Sequence, residues 1–389
     1  METSSHYYAI LAFCRAIGYN KEASFKIAYA SQFVDDAKIN LITVKNPDPA
    51  VKFETINSRP ALFDMATCHS YFKIDTFNYL SMIYNTSAFH FPPGCIGASF
   101  TKKMRCGEKS PVIERIIKEA LRESNEAAFK KAGVPKDPTA DFSDFELIRL
   151  GMLLHVYADS YSHQGFSGIL ADENNIYDLR FHGNKALLHG PLEKIRKKIK
   201  AIIDRILDNT VPCYGHAQAF ECPDEPYLEW SYFYDDSTDQ SGKRTFSEAI
   251  SNPDRYGRAF KDIAGMLEVF LRSRKQYKEG SCKSNLKELY EMLVSEHRSD
   301  EKINRWKKLM IENGYFDKKD PELDYDDNQW IREAFADYNE KRYHKRKVED
   351  ALLAANFRGS SWHKYYFAAR WYKKEFLKTC KGLKLEISV

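Results

Sequence analysis

Residues 151–168 read GMLLHVYADSYSHQGFSG, the most informative stretch of the sequence. Within it His155, Asp159 and His163 stand four residues apart, so on an α-helix they share one face, with a drift of about 40° per step. Residues 148–154 are mostly apolar, which predicts that this helix is buried. Two imidazoles and a carboxylate are costly in a buried position unless they bind a cation or hydrogen-bond to partners.

The triplet therefore has two interpretations. In the first, it binds a divalent cation, because an imidazole and a carboxylate one turn apart can reach a common ion at about 2.0–2.2 Å. In the second, Asp159 orients a histidine in a satisfied hydrogen-bond network. The triplet favours the metal, and the two oxygens of Asp159 could bridge two ions. Further candidate donors are scattered over the sequence: His6, Asp35, Asp36, His69, His90, His182, His189, Glu193 and His216.

Helical periodicity dominates the rest of the chain. It predicts an all-α fold, a multi-helix bundle with room for one small β-hairpin formed by residues 41–44 and 51–56. A metal-binding domain would span residues 1–280, and a charged helical portion, residues 281–389, would pack on it. Residues 211–242 are loop-like. The predicted helices cover residues 5–18, 21–37, 63–84, 111–132, 144–163, 191–208, 245–278, 285–314, 330–356 and 361–381.

The composition is that of a globular protein. Of 389 residues, 43% are hydrophobic and 29% charged, which excludes disordered and fibrous classes. The net charge of +4 is too small to predict a stable nucleic-acid complex. No apolar run approaches the roughly 18 residues of a membrane span, and the first residues lack the pattern of a secretory signal. These features predict a cytoplasmic protein.

The eight cysteines include no CxxC pair, so the spacing of a structural zinc knuckle is absent. In a reducing compartment they are expected to be buried thiols without disulfides. Cys222 is the one cysteine considered as a further donor.

The segment HVYADSYSHQGF, residues 155–166, resembles the metal-binding helix of the all-helical superfamily that contains zinc-dependent phospholipase C and the single-strand-specific zinc nucleases. Members carry His-xxx-Asp on a core helix, followed by another histidine, and the aspartate bridges zinc ions. More closely, most of the chain resembles an uncharacterised bacterial family related to that superfamily. The matching segments are HYYAILAFCRAIGY, AYASQFVDDA, FHFPPG, HVYADSYSHQGFSG, GHAQAFECPDEPYLEWSYFY and WHKYYFAARWYKKEFL.

The resemblance implies a site that holds one to three Zn²⁺ ions, with other divalent metals as alternatives. Asp159 would bridge the ions and act in catalysis, and a further acid, Asp35 or Asp224, would steady a histidine. Cys222 occupies a position where the bacterial family often has histidine, and a thiolate is also a zinc ligand. The implied metal ligands are His6, Asp36 (or Asp35), His155, Asp159, His163 and His216.

Three functions remain open at this point. The first is a zinc-dependent hydrolase of phosphodiesters, either phospholipid or nucleotide, with a metal-activated water as nucleophile. The second is a noncatalytic helical protein with a structural metal. The third is a membrane-surface or interaction module that uses the basic run at residues 341–347. Residues 226–234 are rich in aromatic side chains and could line a substrate site or simply pack in the core.

Overall fold

The computed structural model describes residues 1–68, 78–133, 143–182, 212–236, 244–279, 285–297 and 299–387. Thirteen α-helices lie in these ranges, two of them continuous with a π-helical turn, together with five 3₁₀ helices of three residues each. The α-helices are α1 (Ser4–Ala9 as a π-helical turn, continuing as Ile10–Ile17), α2 (Lys21–Asp36), α3 (Tyr79–Ser81, continuing as a π-helical turn over Met82–Ser87), α4 (Phe100–Met104), α5 (Pro111–Arg122), α6 (Asn125–Ala132), α7 (Phe145–Ser162), α8 (Asn252–Ser273), α9 (Leu286–Leu293), α10 (Ser299–Glu312), α11 (Gln329–Ala334), α12 (Glu340–Tyr343) and α13 (Ser361–Gly382).

Eight strands accompany the helices and form two four-stranded sheets. The strands are β1 (Leu41–Val44), β2 (Glu54–Ile56), β3 (Arg59–Phe63), β4 (Ile176–His182), β5 (Glu229–Asp235), β6 (Arg244–Phe246), β7 (Ile250–Ser251) and β8 (Lys347–Ala351). The first sheet has the order β2-β3-β1-β8, with β8 parallel to β1 and the other pairs antiparallel. In the second sheet β4, β6 and β7 all pair antiparallel with β5.

The prediction of an all-α fold is therefore wrong. The structure is a mixed α/β fold, 54% helical and 14% strand. The strands are two to seven residues long, too short for their periodicity to distinguish them from helix or loop. The sequence predicts residues 229–235 as loop because Pro, Gly and Asp surround them, yet their aromatic side chains favour a strand and form β5.

The predicted hairpin is also corrected. Strands β1 and β2 do form, but each pairs with β3 and not with the other. The sequence predicts a helix from residue 63, whereas that residue ends β3, in which Ala61 and Leu62 are buried. Likewise β8 interrupts the helix predicted for residues 330–356. The helix predicted for residues 191–208 lies outside the described residues.

Other helices agree with the sequence. The predicted end of α1 is confirmed, because Gly18 adopts φ 108° and closes the helix in the left-handed region. Asn20 caps α2 by accepting a hydrogen bond from the amide of Ala23. The long C-terminal helix α13 is confirmed as well.

Helix α7 lies at the centre of the molecule, and every one of its residues is buried. It packs against α2, α8 and α13. At its contact with α2 a Cβ on Gly151 would lie 2.1 Å from the carbonyl oxygen of Ile27, so only glycine allows the two backbones to approach this closely. This contact brings the end of α2 beside the second half of α7.

The C-terminal part joins the rest of the fold through buried contacts. Strand β8 pairs with β1, helix α13 packs on α7, and one cluster of buried apolar residues extends from the first helix to Leu385. A second, smaller apolar cluster lies under β5 and includes Phe91, Phe166, Trp230 and Tyr232. Within the described ranges, no helix combines the length and the apolar character needed to span a membrane.

Candidate metal centre

Helix α7 carries the predicted triplet in its last two turns. His155 and Asp159 lie within the helix, and His163 is the residue at which it ends. Their exposed fractions are 0%, 0% and 2%. Because water does not solvate these groups, each must find its partners within the protein or in a bound ion.

The first of three groups that could hold a metal ion consists of His6, His155 and Asp159. His6 Nε2 lies 3.1 Å from Asp159 Oδ1, and His155 Nε2 lies 3.2 Å from Asp159 Oδ2. His6 belongs to the π-helical turn of α1, a backbone feature that is frequent at functional sites. Its ring stacks on that of His155, with centroids 3.8 Å apart.

The second group consists of Asp35, His90 and His155. Asp35 lies in the last turn of α2, and its Oδ1 is 3.6 Å from His90 Nδ1 and 3.7 Å from His155 Nε2. His90 Nδ1 is also 3.2 Å from Asp159 Oδ2 and 3.3 Å from His155 Nε2. The close approach of α2 and α7 at Gly151 is what brings Asp35 to this position.

The third group consists of His163, His216 and Asp224. His163 Nε2 lies 3.0 Å from Asp224 Oδ1, and His216 Nε2 lies 3.4 Å from Asp224 Oδ2. The Asp224 side chain is 18% exposed and that of Asp35 is 28% exposed, whereas the His6 and Asp159 side chains are 1% exposed. The site therefore meets solvent at Asp35 and Asp224.

The α-amino nitrogen of Met1 lies between the first and third groups. It is 3.0 Å from Asp159 Oδ1 and 3.0 Å from Asp224 Oδ1. Burial lowers the pKa of this amine, but the two carboxylates outweigh burial and raise the pKa to about 11. Both carboxylates thus face a common positive charge.

In three of the histidines, a hydrogen bond to a backbone carbonyl shows which ring nitrogen carries a proton. His90 Nε2 donates to the carbonyl of Thr67 at 3.0 Å, His163 Nδ1 to that of His90 at 2.7 Å, and His216 Nδ1 to that of Phe220 at 2.7 Å. In each ring the other nitrogen faces a carboxylate oxygen, which is where a neutral ring directs its lone pair. A histidine that ligates a metal typically donates its second N–H in this way.

The pKa values describe the same arrangement. Burial lowers the pKa of His6 to about 4, and the Met1 amine adds to this effect against Asp159. Burial likewise lowers the pKa of His216 to about 4 and that of His155 well below its usual range. Burial raises the pKa of Asp159, but the Met1 amine and the neighbouring histidines outweigh it and hold that pKa well below its usual range. Neutral imidazoles beside the ionised Asp159 and Asp224 are protonation states that bind a cation, whereas burial raises the pKa of Asp35 well above its usual range.

Five of the six residues predicted as ligands come together here: His6, His155, Asp159, His163 and His216. The sixth, Asp36, does not join them. Its Oδ2 accepts hydrogen bonds from Tyr325 and Gln32, while the neighbouring Asp35 faces the histidines.

Other candidate donors lie elsewhere. Cys222 is buried in the second apolar cluster, outside all three groups, and burial raises the pKa of its thiol, so it stays protonated. His182 contacts Ser231 at 2.6 Å in the second sheet. His69, His189 and Glu193 lie outside the described residues.

The structure adds two residues to those predicted as ligands, His90 and Asp224. His90 lies in the FHFPPG segment, which the resemblance includes, but no helical spacing connects it with a second donor. The sequence suggests Asp224 only as a partner that steadies a histidine. Both residues lie in irregular segments between elements, where sequence periodicity carries no information about which side chains meet.

The fold and the site together define a mixed α/β protein with buried histidine and aspartate groups that could hold a metal ion. The chain belongs to the family of unknown function DUF6765, whose model matches residues 1–380. No curated protein and no solved structure matches it.

Proposed function

We propose that this protein is a zinc-dependent hydrolase of phosphodiesters. The observation that carries the proposal is the orientation of His90, His163 and His216. Each donates one N–H to a backbone carbonyl and turns its other nitrogen toward a carboxylate. Nitrogen lone pairs and carboxylates that face one another in a buried site favour a cation between them, a role that a bound ion would share with the Met1 ammonium beside Asp159 and Asp224.

The donor set fits zinc. Imidazole nitrogen and carboxylate oxygen are both zinc ligands, and the three groups contain only these two donor types. Magnesium and calcium prefer all-oxygen sites, so the five histidines argue against them. The first two groups share His155 and the third shares no residue with them, so the donor set is compatible with one to three ions.

Asp159 has the central role in the proposal. Its Oδ1 faces His6 and the Met1 amine, and its Oδ2 faces His90 and His155. One carboxylate thus contacts several nitrogen donors and fixes the orientation of the imidazole rings. Bound zinc would supply Lewis acidity toward a phosphoryl oxygen and a water nucleophile at neutral pH.

Asp35 and Asp224 are the donors that reach solvent, so a substrate would approach the centre beside them. A phosphodiester is the class of substrate that several adjacent cations serve best, because they neutralise charge on the attacking and leaving oxygens. Either a phospholipid or a nucleotide carries such a group.

A noncatalytic protein with a structural metal is the second candidate. It is favoured by the burial of His6, His155 and Asp159, since structural zinc sites are closed to solvent. The exposed sides of Asp35 and Asp224 favour the hydrolase. The membrane-surface hypothesis gains no support from Arg342 and Lys347, because each is paired with a neighbouring acid, Asp337 and Glu349 respectively.

Hydrolysis of bis-p-nitrophenyl phosphate by zinc-loaded protein tests the proposal. Asp159→Asn keeps the shape of the side chain and removes its charge, so we expect turnover to fall by at least about 100-fold. Asp317→Asn is the matched control because the Asp317 side chain is 88% exposed, and its turnover should equal that of the unmodified protein. A zinc-loaded protein without turnover would support the structural-metal alternative.

A further inference from the structure

A second candidate site adjoins the C-terminal end of α7. It is a cleft of about 860 Å³ between residues 94–108, strand β5 and the start of α8. Cys106, which lines the cleft, packs its Sγ against the carbonyl oxygens of Asp159 and Ser160, that is, against the backbone of α7.

A buried ring separates the cleft from the third metal-binding group. Phe166 is 0% exposed, and its centroid lies 6.2 Å from that of His216 on one side and 5.4 Å from that of Tyr232 on the other. Tyr232 lines the cleft. A molecule in the cleft would therefore not contact the metal centre.

Two guanidinium groups line the cleft without an acidic partner among the described residues. Arg105 is half-buried, donates from Nε to the carbonyl of Gly165 at 3.0 Å and lies over the Tyr234 ring at 5.1 Å. Arg255 is half-buried too, and Nη1 donates to the carbonyl of Ser162 at 3.2 Å. Within the described part of the chain neither guanidinium is ion-paired, although Glu108 favours the charged form of Arg255 electrostatically, and burial of a charge is costly unless the charge is paired.

The other charged groups of the cleft do not form ion pairs with these two cations. Lys102 pairs with Asp236 at 2.8 Å, and Arg258 donates two hydrogen bonds to Glu108 at 3.0 and 3.1 Å. The remaining acids, Glu248 and Asp254, are exposed side chains. The half-buried part of the cleft is therefore cationic.

Apolar and aromatic surface adjoins the two arginines. Phe246 is 45% exposed and Ile96 is 78% exposed, and both line the cleft. The Tyr232 hydroxyl oxygen and Nη2 of Arg105 would lie 3.1 and 3.6 Å from a Cβ on Gly165, so the hydroxyl lies beside that guanidinium. A ligand that fits this surface has an anionic end and an apolar or aromatic end.

We propose that this cleft binds an organic phosphate, with its phosphate group on Arg105 and Arg255 and its organic part against Tyr234 and Phe246. Guanidinium groups bind phosphate through paired hydrogen bonds, and the several oxygens of a phosphate can accept from two arginines and a hydroxyl at once. A carboxylate has only two oxygens, both of which one arginine can engage in a bidentate pair, so a phosphate matches two arginines and a hydroxyl better. The site goes beyond the proposed hydrolysis and does not depend on it.

Titration calorimetry with phenylphosphonate, which has no hydrolysable ester bond, tests this proposal. Arg255→Gln should weaken binding at least about 10-fold relative to the unmodified protein. Arg255→Lys keeps the charge but loses the paired hydrogen bonds, so its affinity for phenylphosphonate should lie between those of the unmodified protein and Arg255→Gln. Arg272→Gln is the matched control, since Arg272 lies on the same helix, is 75% exposed and is outside the cleft.

Further arms distinguish the cleft from the metal centre and phosphate from other anions. Asp159→Asn should bind phenylphosphonate as tightly as the unmodified protein, so failure of the hydrolase proposal would leave this result unaffected. Inorganic phosphate should bind more weakly, because it lacks the aromatic part, and benzoate should bind more weakly still. Arginine variants that bind normally, binding lost only in Asp159→Asn, equal binding of benzoate, or no binding at millimolar concentration would each overturn the proposal.

Discussion

Asp35 and Asp36 are adjacent in the sequence but face different parts of the molecule. Asp35 Oδ1 lies 3.6 Å from His90 Nδ1, whereas Asp36 Oδ2 accepts a hydrogen bond from Tyr325 at 2.7 Å. The sequence could not distinguish them, because the rotation of α2 that selects one is fixed by its packing on α7. The two residues therefore form a natural pair of test and control.

Asp35→Asn should lower zinc affinity by at least about 10-fold, because a carboxylate that faces the ion is lost. Asp36→Asn should leave the affinity unchanged, since its amide oxygen can still accept from Tyr325. Competition with a fluorescent zinc chelator measures both. Equal zinc affinities for the two variants, or a larger loss in Asp36→Asn, would show that Asp35 is not a zinc ligand.

At the scale of elements, the contact between α2 and α7 positions the metal centre. Gly151 permits it, and the two helices bring Asp35 and His155 together across it. The sequence identified both helices by their periodicity. It could not identify their contact, because a glycine inside a helix has several possible causes and no spacing relates Ile27 to residue 151.

Gly151→Ala should destabilise the protein by about 1–3 kcal/mol, because its Cβ would lie 2.1 Å from the Ile27 carbonyl and force α2 and α7 apart. It should also weaken zinc binding, since Asp35 and His155 would separate. Chemical denaturation measures the change in the free energy of unfolding, and the chelator assay measures the change in zinc affinity.

Gly265→Ala is the control for this prediction. Gly265 is an exposed residue of α8, and a Cβ there would have no neighbouring atom within 4 Å, so alanine should be neutral or stabilise by up to about 1 kcal/mol. If Gly151→Ala behaved in the same way, the close contact of α2 and α7 would not determine the geometry of the metal centre.

At the scale of the whole molecule, the sequence predicted the helical framework and the strands β1 and β2, but neither of the two sheets. Long periodic segments such as α1, α2, α7 and α13 were recognisable because each buries one or more faces along several turns. Strand β8 pairs with β1 across about 300 residues of chain. Such a pairing depends on the complete fold, so a local pattern does not indicate it.

Buried neutral histidines should make the fold sensitive to acid. His363, at the start of α13, donates from Nδ1 to the carbonyl of Arg358 at 3.1 Å, and burial lowers its pKa to about 4. Its ordinary pKa is 6.5, so between pH 6.5 and 4 the unfolded chain binds a proton that the folded protein does not. The free energy of unfolding should therefore decrease as the pH falls through this range.

His363→Gln should make that decrease smaller by up to about 3 kcal/mol over the same range, as measured by urea denaturation in chelator. The exposed residue His344 provides the control variant His344→Gln, which should retain the full pH dependence. Identical slopes for all three proteins would show that His363 is not held neutral in the fold.

The central claim is that buried imidazoles and carboxylates from α1, α2, α7 and the segments around His90 and Asp224 enclose divalent cations. Anomalous diffraction at the zinc edge, on crystals of protein purified with zinc and without chelator, tests it most directly. We expect at least one peak about 2.0–2.2 Å from nitrogen and oxygen atoms of His155, Asp159 and their neighbours. A map without a peak among these side chains would contradict the claim.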